Sequence, residues 1–238
     1  MRGLAAALSM ILAAGCGCRG GGGGRHDAAV DDAAATCAEA TLHTGEATYY
    51  DADGSGNCGF DPSPEDLLVA AMNTADYDGA GACGACVAVD GPAGSVTVRI
   101  VDRCPGCAAG DLDLSRAAFA RIAELAAGRV AASWRYVGCD VDGPVRYRFK
   151  EGSNAFWTAL QVRNHRHAIS TFEARPAGGA WRTVPRESYN YFVDAAGLGD
   201  GPIDLRITDV HGHALEDRGI PLGDATEVSG AAQLPGCD

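Results

Sequence analysis

Two Cys-x-x-Cys pairs constrain this chain more than any other feature: CGAC at Cys83–Cys86 and CPGC at Cys104–Cys107. Seventeen residues separate them, a spacing within the zinc-ribbon range. The same pairs suit disulfide staples or the floor of an active site. Compartment decides between these, because thiols stay reduced in a cytosol and pair in an oxidising environment.

The opening residues, MRGLAAALSMILAAGC, point to export. Arg2 supplies a positive end, and the apolar run Leu4 to Ala14 is shorter than the roughly 20 residues that span a bilayer. Residues 1–16 are therefore expected to be a signal peptide. The ending LAAGC resembles a bacterial lipoprotein signal with Cys16 as the acylated residue, although Ala13 stands where that pattern prefers leucine. Ordinary secretion is the alternative. Residues 17–40 are rich in glycine and alanine without hydrophobic period, as in a flexible tether. Export, to the cell surface or the extracellular space, makes disulfides the expectation for Cys37, Cys58, Cys83, Cys86, Cys104, Cys107, Cys139 and Cys237. Their pairing stays open.

A formal net charge of -12, with a single lysine (Lys150) among 19 basic residues, argues against nucleic acid as a partner. A neutral or cationic partner fits better. The chain is expected to be a monomer without cofactor or metal.

Patterning beyond Gly45 is mostly β. Strands are expected at Ala47–Tyr50, at Cys86–Val89 and Val96–Val101 around a DGPAG turn, and at Arg129–Val137. Ser63 as N-cap and Pro64 at the first helical position predict a helix to about Asn73. Ser115 predicts a second helix, with Ala118, Phe119, Ile122 and Leu125 on one face and Gly128 as the stop. A boundary falls at Val141–Val145. Beyond it, runs of period two at 147–150, 156–163, 169–174 and 203–208 suggest a β-sandwich. The expectation is two β-rich domains, 41–140 and 141–238.

Two aspartates stand in settings suited to chemistry. Asp102 ends the apolar run VRIVD, and Asp113 lies between leucines in DLDLS. Restricted hydration raises a carboxyl pKa and lets it hold a proton. The plainer reading is that Asp113 caps the following helix and Asp102 pairs with Arg99 or Arg103.

The segments ATYYDADGSGNCGF, NTADYDGAGACGACVAV, GPAGSVTVRIVDRCPGCAAGDLDLS and KEGSNAFWTALQVRNH together resemble a bacterial expansin, in order and across both domains. The resemblance implies a six-stranded double-psi β-barrel followed by an immunoglobulin-like cellulose-binding domain. It implies loosening of cell-wall networks without cleavage of glycosidic bonds. By position, the family's functional threonine falls on Thr48 and its aspartates on Asp102 and Asp113. Its groove tyrosine falls on Cys104, as in the cysteine-containing branch of the family. Its row of three aromatics falls on Phe156, Trp157 and Tyr189, flanked by Lys150. Tyr49 joins the polysaccharide-binding set.

Inverting endoglucanases share this barrel and need an acid and a base roughly 6.5–9.5 Å apart. Asp113 would be the acid. Asp51, following Tyr49-Tyr50, stands near the place of the base, with a turn-forming role in DADGSGN as the alternative. An inverting endo-β-1,4-glucanase is thus one competing function. A peptidoglycan-directed lytic enzyme is another, since related barrels occur in murein-cleaving lipoproteins.

Alternation in FWTALQVR puts Trp157, Ala159, Gln161 and Arg163 on one face. Trp157 then points to the wetter side, as a sugar platform requires. Phe156 would face the core if the strand began there. Trp134 and Trp181 fit structural positions. His165 and His167 are two apart and fit a solvated turn better than a metal site.

Overall fold

In a computed structural model that describes residues 41–237, the first half of the chain closes into a six-stranded barrel. Its strands are β1 (His43–Tyr50), β2 (Val69–Asn73), β3 (Cys86–Gly91), β4 (Gly94–Cys104), β5 (Leu112–Ser115) and β6 (Val130–Val137). They close in the order β1-β5-β2-β4-β3-β6, with β1/β5 and β2/β4 parallel. Inside sit Ala47, Met72, Val87, Val98, Ile100, Leu112 and Leu114, with Trp134 fully buried. The expected signal peptide and tether, with Cys16 and Cys37, lie outside the described residues.

Two helix expectations change. The segment 63–73 is not a helix. Ser63 to Asp66 makes one turn, in which the Asp66 amide donates to the Ser63 carbonyl at 2.9 Å. Val69–Asn73 is β2, buried at all five positions between β4 and β5. Pairing on both edges outweighs the helix preference of an Ala/Met-rich run. A short helix, α1 (Thr74–Tyr77), follows and is capped by Asn73.

The second helix, α2 (Arg116–Ile122), is capped by the Ser115 hydroxyl and buries Ala118, Phe119 and Ile122. It stops before Gly128. The Ile122 carbonyl is taken by the Ala93 amide of the β3–β4 turn at 2.8 Å, and Ala123 is extended. Leu125–Ala127 is a separate 3-10 turn.

The second half forms two four-stranded sheets. One has the order β10-β9-β12-β13, built from β9 (Ile169–Pro176), β10 (Arg182–Thr183), β12 (Ile203–Asp209) and β13 (Ala214–Ile220). The other has the order β11-β8-β7-β14, built from β7 (Arg146–Phe149), β8 (Thr158–Arg163), β11 (Phe192–Asp194) and β14 (Glu227–Ser229). Phe149, Leu160, Val162, Phe172, Phe192, Leu205 and Ile207 belong to one buried cluster, in which Phe172 and Phe192 stack at 4.6 Å.

Disulfides join Cys58 to Cys83, Cys86 to Cys139 and Cys104 to Cys107, and Cys237 is also disulfide-bonded. Cys83 and Cys86 thus leave for different partners, which removes the zinc-ribbon reading. The Cys86–Cys139 bridge spans 53 residues, a loop whose closure entropy is about 4 kcal/mol.

The barrel abuts the sheets through buried polar contacts. Gln161 Nε2 donates to the Cys58 carbonyl at 2.8 Å, and Arg186 Nη1 donates to the Ala80 carbonyl at 2.7 Å. His165 and His167 are buried, not solvated. His165 Nδ1 meets the His167 carbonyl at 2.7 Å, and burial pushes its pKa down to about 4. Gly84 (φ +76°) makes room for it, since a Cβ there would lie 2.5 Å from His165 Nε2.

Candidate functional site

Four adjacent strands bring the sequence-predicted residues into one row. Thr48 on β1 pairs with Asp113 on β5, Asp113 pairs with Ala71 on β2, and Ala71 pairs with Asp102 on β4. Ala47, Leu112 and Leu114 point into the barrel core, so alternation turns Thr48 and Asp113 outward. Asp102 has the same parity as the core residue Ile100 and would point inward in a regular strand. A bulge at Val101 corrects this: Ala70 pairs with Ile100 but Ala71 with Asp102. The row has small Ala71 at its centre.

Thr48 Oγ1 donates to Asp113 Oδ1 at 2.6 Å. Burial pushes the Asp113 carboxyl above its ordinary range, and Asp102 adds to the rise. The Thr48 hydrogen bond and Arg129 oppose it without cancelling it. Asp113 does not cap α2; Ser115 does. Asp102 Oδ1 accepts from the amides of Asn57 (2.6 Å) and Arg103 (2.8 Å). Asp102 is thus fixed by backbone donors, not by Arg99 or Arg103 side chains. Gly56 lies against it, and a Cβ there would stand 2.4 Å from Asp102 Cβ.

Beyond Thr48 a cleft of about 150 Å³ is lined by Glu46, Asp111, Arg129, Gly106 and the Cys104–Cys107 disulfide. Arg129 pairs with Glu46 at 2.6 Å. Cys104 contributes a disulfide wall to this cleft.

Tyr49 lies apart from the row. Its ring packs on Phe119 of α2 at 4.9 Å, beneath the Arg116 guanidinium at 4.8 Å. Tyr50 has the parity of Thr48. Its hydroxyl is buried without a hydrogen-bond partner among the described residues, and burial together with Asp102 and Asp113 raises its pKa. Tyr50 therefore lies on the Thr48 side of β1, whereas the expected binding residue was Tyr49. Asp51 follows the Tyr49 side. It hydrogen-bonds Arg116, which holds its carboxyl below the usual range while the side chain stays 80% exposed.

In the second half of the chain, Phe156 lies outside β8, which begins at Thr158, and is 83% exposed rather than in the core. Asn154 braces its turn: Oδ1 accepts from the Phe156 amide at 2.8 Å, and the carbonyl accepts from Thr158 Oγ1 at 3.0 Å. Trp157 is half-buried beside it. Tyr189 is exposed, 6.0 Å from Tyr191, and Lys150 Nζ lies 5.2 Å over the Tyr191 ring. Trp157 immediately precedes β8, in the turn it closes with Asn154, and Gln161 lies within β8. Gln161 is the residue that docks the barrel.

Asn57 bridges the two regions. Its amide holds Asp102, while Nδ2 donates to Tyr77 Oη and to the Ser188 carbonyl, both at 2.8 Å. Ser188 precedes Tyr189. Neither Asn57 nor Tyr191 carries a local pattern that marks it. Trp134 is buried and donates to the Gly110 carbonyl, and Trp181 is held between Arg175 and Arg206.

Comparison with known proteins adds the following. A family model described as "Lytic transglycolase" matches residues 69–134. The chain is 38% identical to Expansin-YoaJ of Bacillus subtilis (strain 168), over 85% of this chain and 88% of that protein. It is 31% identical to Expansin-like protein 2 of Dictyostelium discoideum, over 71% of this chain and 44% of that protein. Among solved structures it is similar to a mutant Clavibacter michiganensis expansin in complex with cellohexaose, with TM-score 0.76 and 33% identity over 81% of this chain and 98% of that one. The apo form of that expansin gives a TM-score of 0.74 at 34% identity.

Proposed function

The chain belongs to the expansin family, and on that premise we propose an extracellular protein that binds cellulose or a related β-glucan and loosens the polysaccharide network without hydrolysis. Chains are prised apart by binding energy. Asp113, Asp102, Thr48 and Tyr50 offer donors and acceptors that compete for hydrogen bonds between glucan chains. Phe156, Trp157 and Tyr189, with Lys150 beside them, form the stacking surface that holds the polymer.

One observation carries the non-hydrolytic reading. Asp51, which stands in sequence near the missing base, is committed to Arg116 on the Tyr49 side of β1, whereas Asp113 faces the row on the other side. A carboxylate whose pKa is lowered by an arginine is a poor proton acceptor, so water near Asp113 lacks its activator. The murein-directed alternative gains from the transglycolase-type match over 69–134. The exposed aromatic run of the second domain favours glucan.

We read the chain as two domains meeting near 141–145, the second of immunoglobulin type, and the protein as a monomer. Lipid attachment at Cys16 would hold it at the cell surface. Retention on crystalline cellulose, compared with retention on murein sacculi, tests the substrate. Preferential retention on sacculi would reject the glucan assignment.

A further inference from the structure

The second Cys-x-x-Cys pair of the sequence carries a chemistry that the carboxylate row does not use. Cys104 ends β4, and its disulfide to Cys107 closes the short loop Cys104-Pro105-Gly106-Cys107 ahead of β5. Both cysteines are half-buried, and Pro105 and Gly106 between them are exposed. A Cβ on Gly106 would meet nothing within 4 Å, so the approach to the loop is open. The other two bridges with both partners described are closed off. Cys58 and Cys83 are 0% and 2% exposed, Cys86 and Cys139 8% and 5%. An accessible disulfide is the one that exchange chemistry reaches.

The loop keeps its shape without the sulfur bond. The Cys107 amide donates to the Cys104 carbonyl at 3.3 Å. Asp111 accepts from the Ala108 amide through Oδ2 at 3.1 Å and from the Glu46 amide through Oδ1 at 2.8 Å. The Gly110 amide donates to Asp76 Oδ2 at 2.9 Å, and its carbonyl accepts from the buried Trp134 ring. The bridge has a sequence separation of only 3, against 25 and 53 for the other two, so it constrains the unfolded chain least. Reduction would leave two neighbouring thiols on a folded barrel.

The cleft that holds this disulfide also contains Glu46, Asp111 and Arg129. Arg129 pairs with Glu46 at 2.6 Å, and the two amides engage Asp111. Neither carboxylate is left bare before an approaching thiolate.

We propose that Cys104–Cys107 is a thiol–disulfide exchange site whose substrate is a dithiol. One thiolate of the dithiol attacks one of the two sulfurs, the S–S bond breaks, and the released cysteine thiolate takes a proton. The second thiolate of the dithiol then displaces the remaining cysteine, which is protonated in turn. Two electrons and two protons pass to the pair, and the dithiol leaves as a disulfide. Thr48 lines the same cleft, so the exchange takes place beside the carboxylate row. The site does not depend on which polysaccharide that row binds.

The test exposes the folded, purified protein to dithiothreitol in one arm and to a thioredoxin with its recycling system in the other. Thiols are trapped with a maleimide and the labelled cysteines mapped by mass spectrometry, which keeps any label at Cys237 separate. We expect Cys104 and Cys107 to be labelled at least tenfold faster than Cys58, Cys83, Cys86 and Cys139. Circular dichroism should stay unchanged, and glutathione disulfide should restore the bond. Fast labelling in the dithiothreitol arm alone supports the site and assigns it to small dithiols. Labelling of Cys104 and Cys107 no faster than that of Cys86 and Cys139, or only once the barrel unfolds, would overturn the proposal.

Discussion

Thr48 and Asp113 are register partners on adjacent parallel strands, and the Thr48 hydroxyl donates to the Asp113 carboxylate at 2.6 Å. Hydrogen bonding stabilises the charged form, against the rise that burial imposes. Thr48→Val should therefore raise the Asp113 pKa further and weaken wall loosening, with cellulose retention unchanged. Carboxyl NMR titration reads the first effect and creep of a cellulose sheet under load the second. An Asp113 pKa that stays put or falls would remove the hydroxyl from the site.

Asp113 itself has a stability signature. Its folded pKa lies above the unfolded value near 3.8, so the folded state binds more protons than the unfolded one. The carboxylate then costs stability, fully above its folded pKa and not at all below pH 3.8. Asp113→Asn should make the protein slightly more stable at pH 7, with the difference closing as pH falls towards 3.8. Loosening should be lost and binding kept. Denaturant unfolding at several pH values checks the sign.

Gly56 packs against Asp102 so closely that any side chain must displace one of them. Gly56→Ala should cost about 1–3 kcal/mol of stability, in the range of overpacking. It should also weaken loosening by disturbing the Asn57–Asp102 contact. A variant as stable and as active as wild type would show the loop to be compliant.

Beside β8, Trp157→Ala should weaken cellulose retention by about 1–3 kcal/mol, by analogy with bases stacked on aromatics. Phe156→Ala should act in the same direction with little effect on folding, because its ring is 83% exposed. Unchanged depletion isotherms for both would refute the platform.

Much of this was legible in sequence because period two states which way a side chain points. The strands β8, β9 and β12 followed from alternation, and the outward side of β1 and β5 that carries Thr48 and Asp113 obeys the same period. Tyr49 was the residue assigned to binding, and the structure turns it to α2 while Tyr50 takes the Thr48 side. Other features depend on contacts between distant segments. The bulge at Val101 turns Asp102 outward, and β2 replaces a helix because neighbours on both edges pair with it. The burial of His165 comes from a barrel glycine packed on it, and no local pattern announces that. The turn at Asn154, not strand parity, carries Phe156 into solvent.

The central claim is that this groove holds a proton donor without a base to activate water. Release of reducing sugar from amorphous cellulose by the purified mature protein, beside Asp51→Asn and Asp113→Asn, measures it most directly. We expect no soluble oligosaccharide from any of the three, and loosening retained in Asp51→Asn. Oligosaccharides produced by the wild type and abolished by neutralising residue 51 or 113 would contradict it.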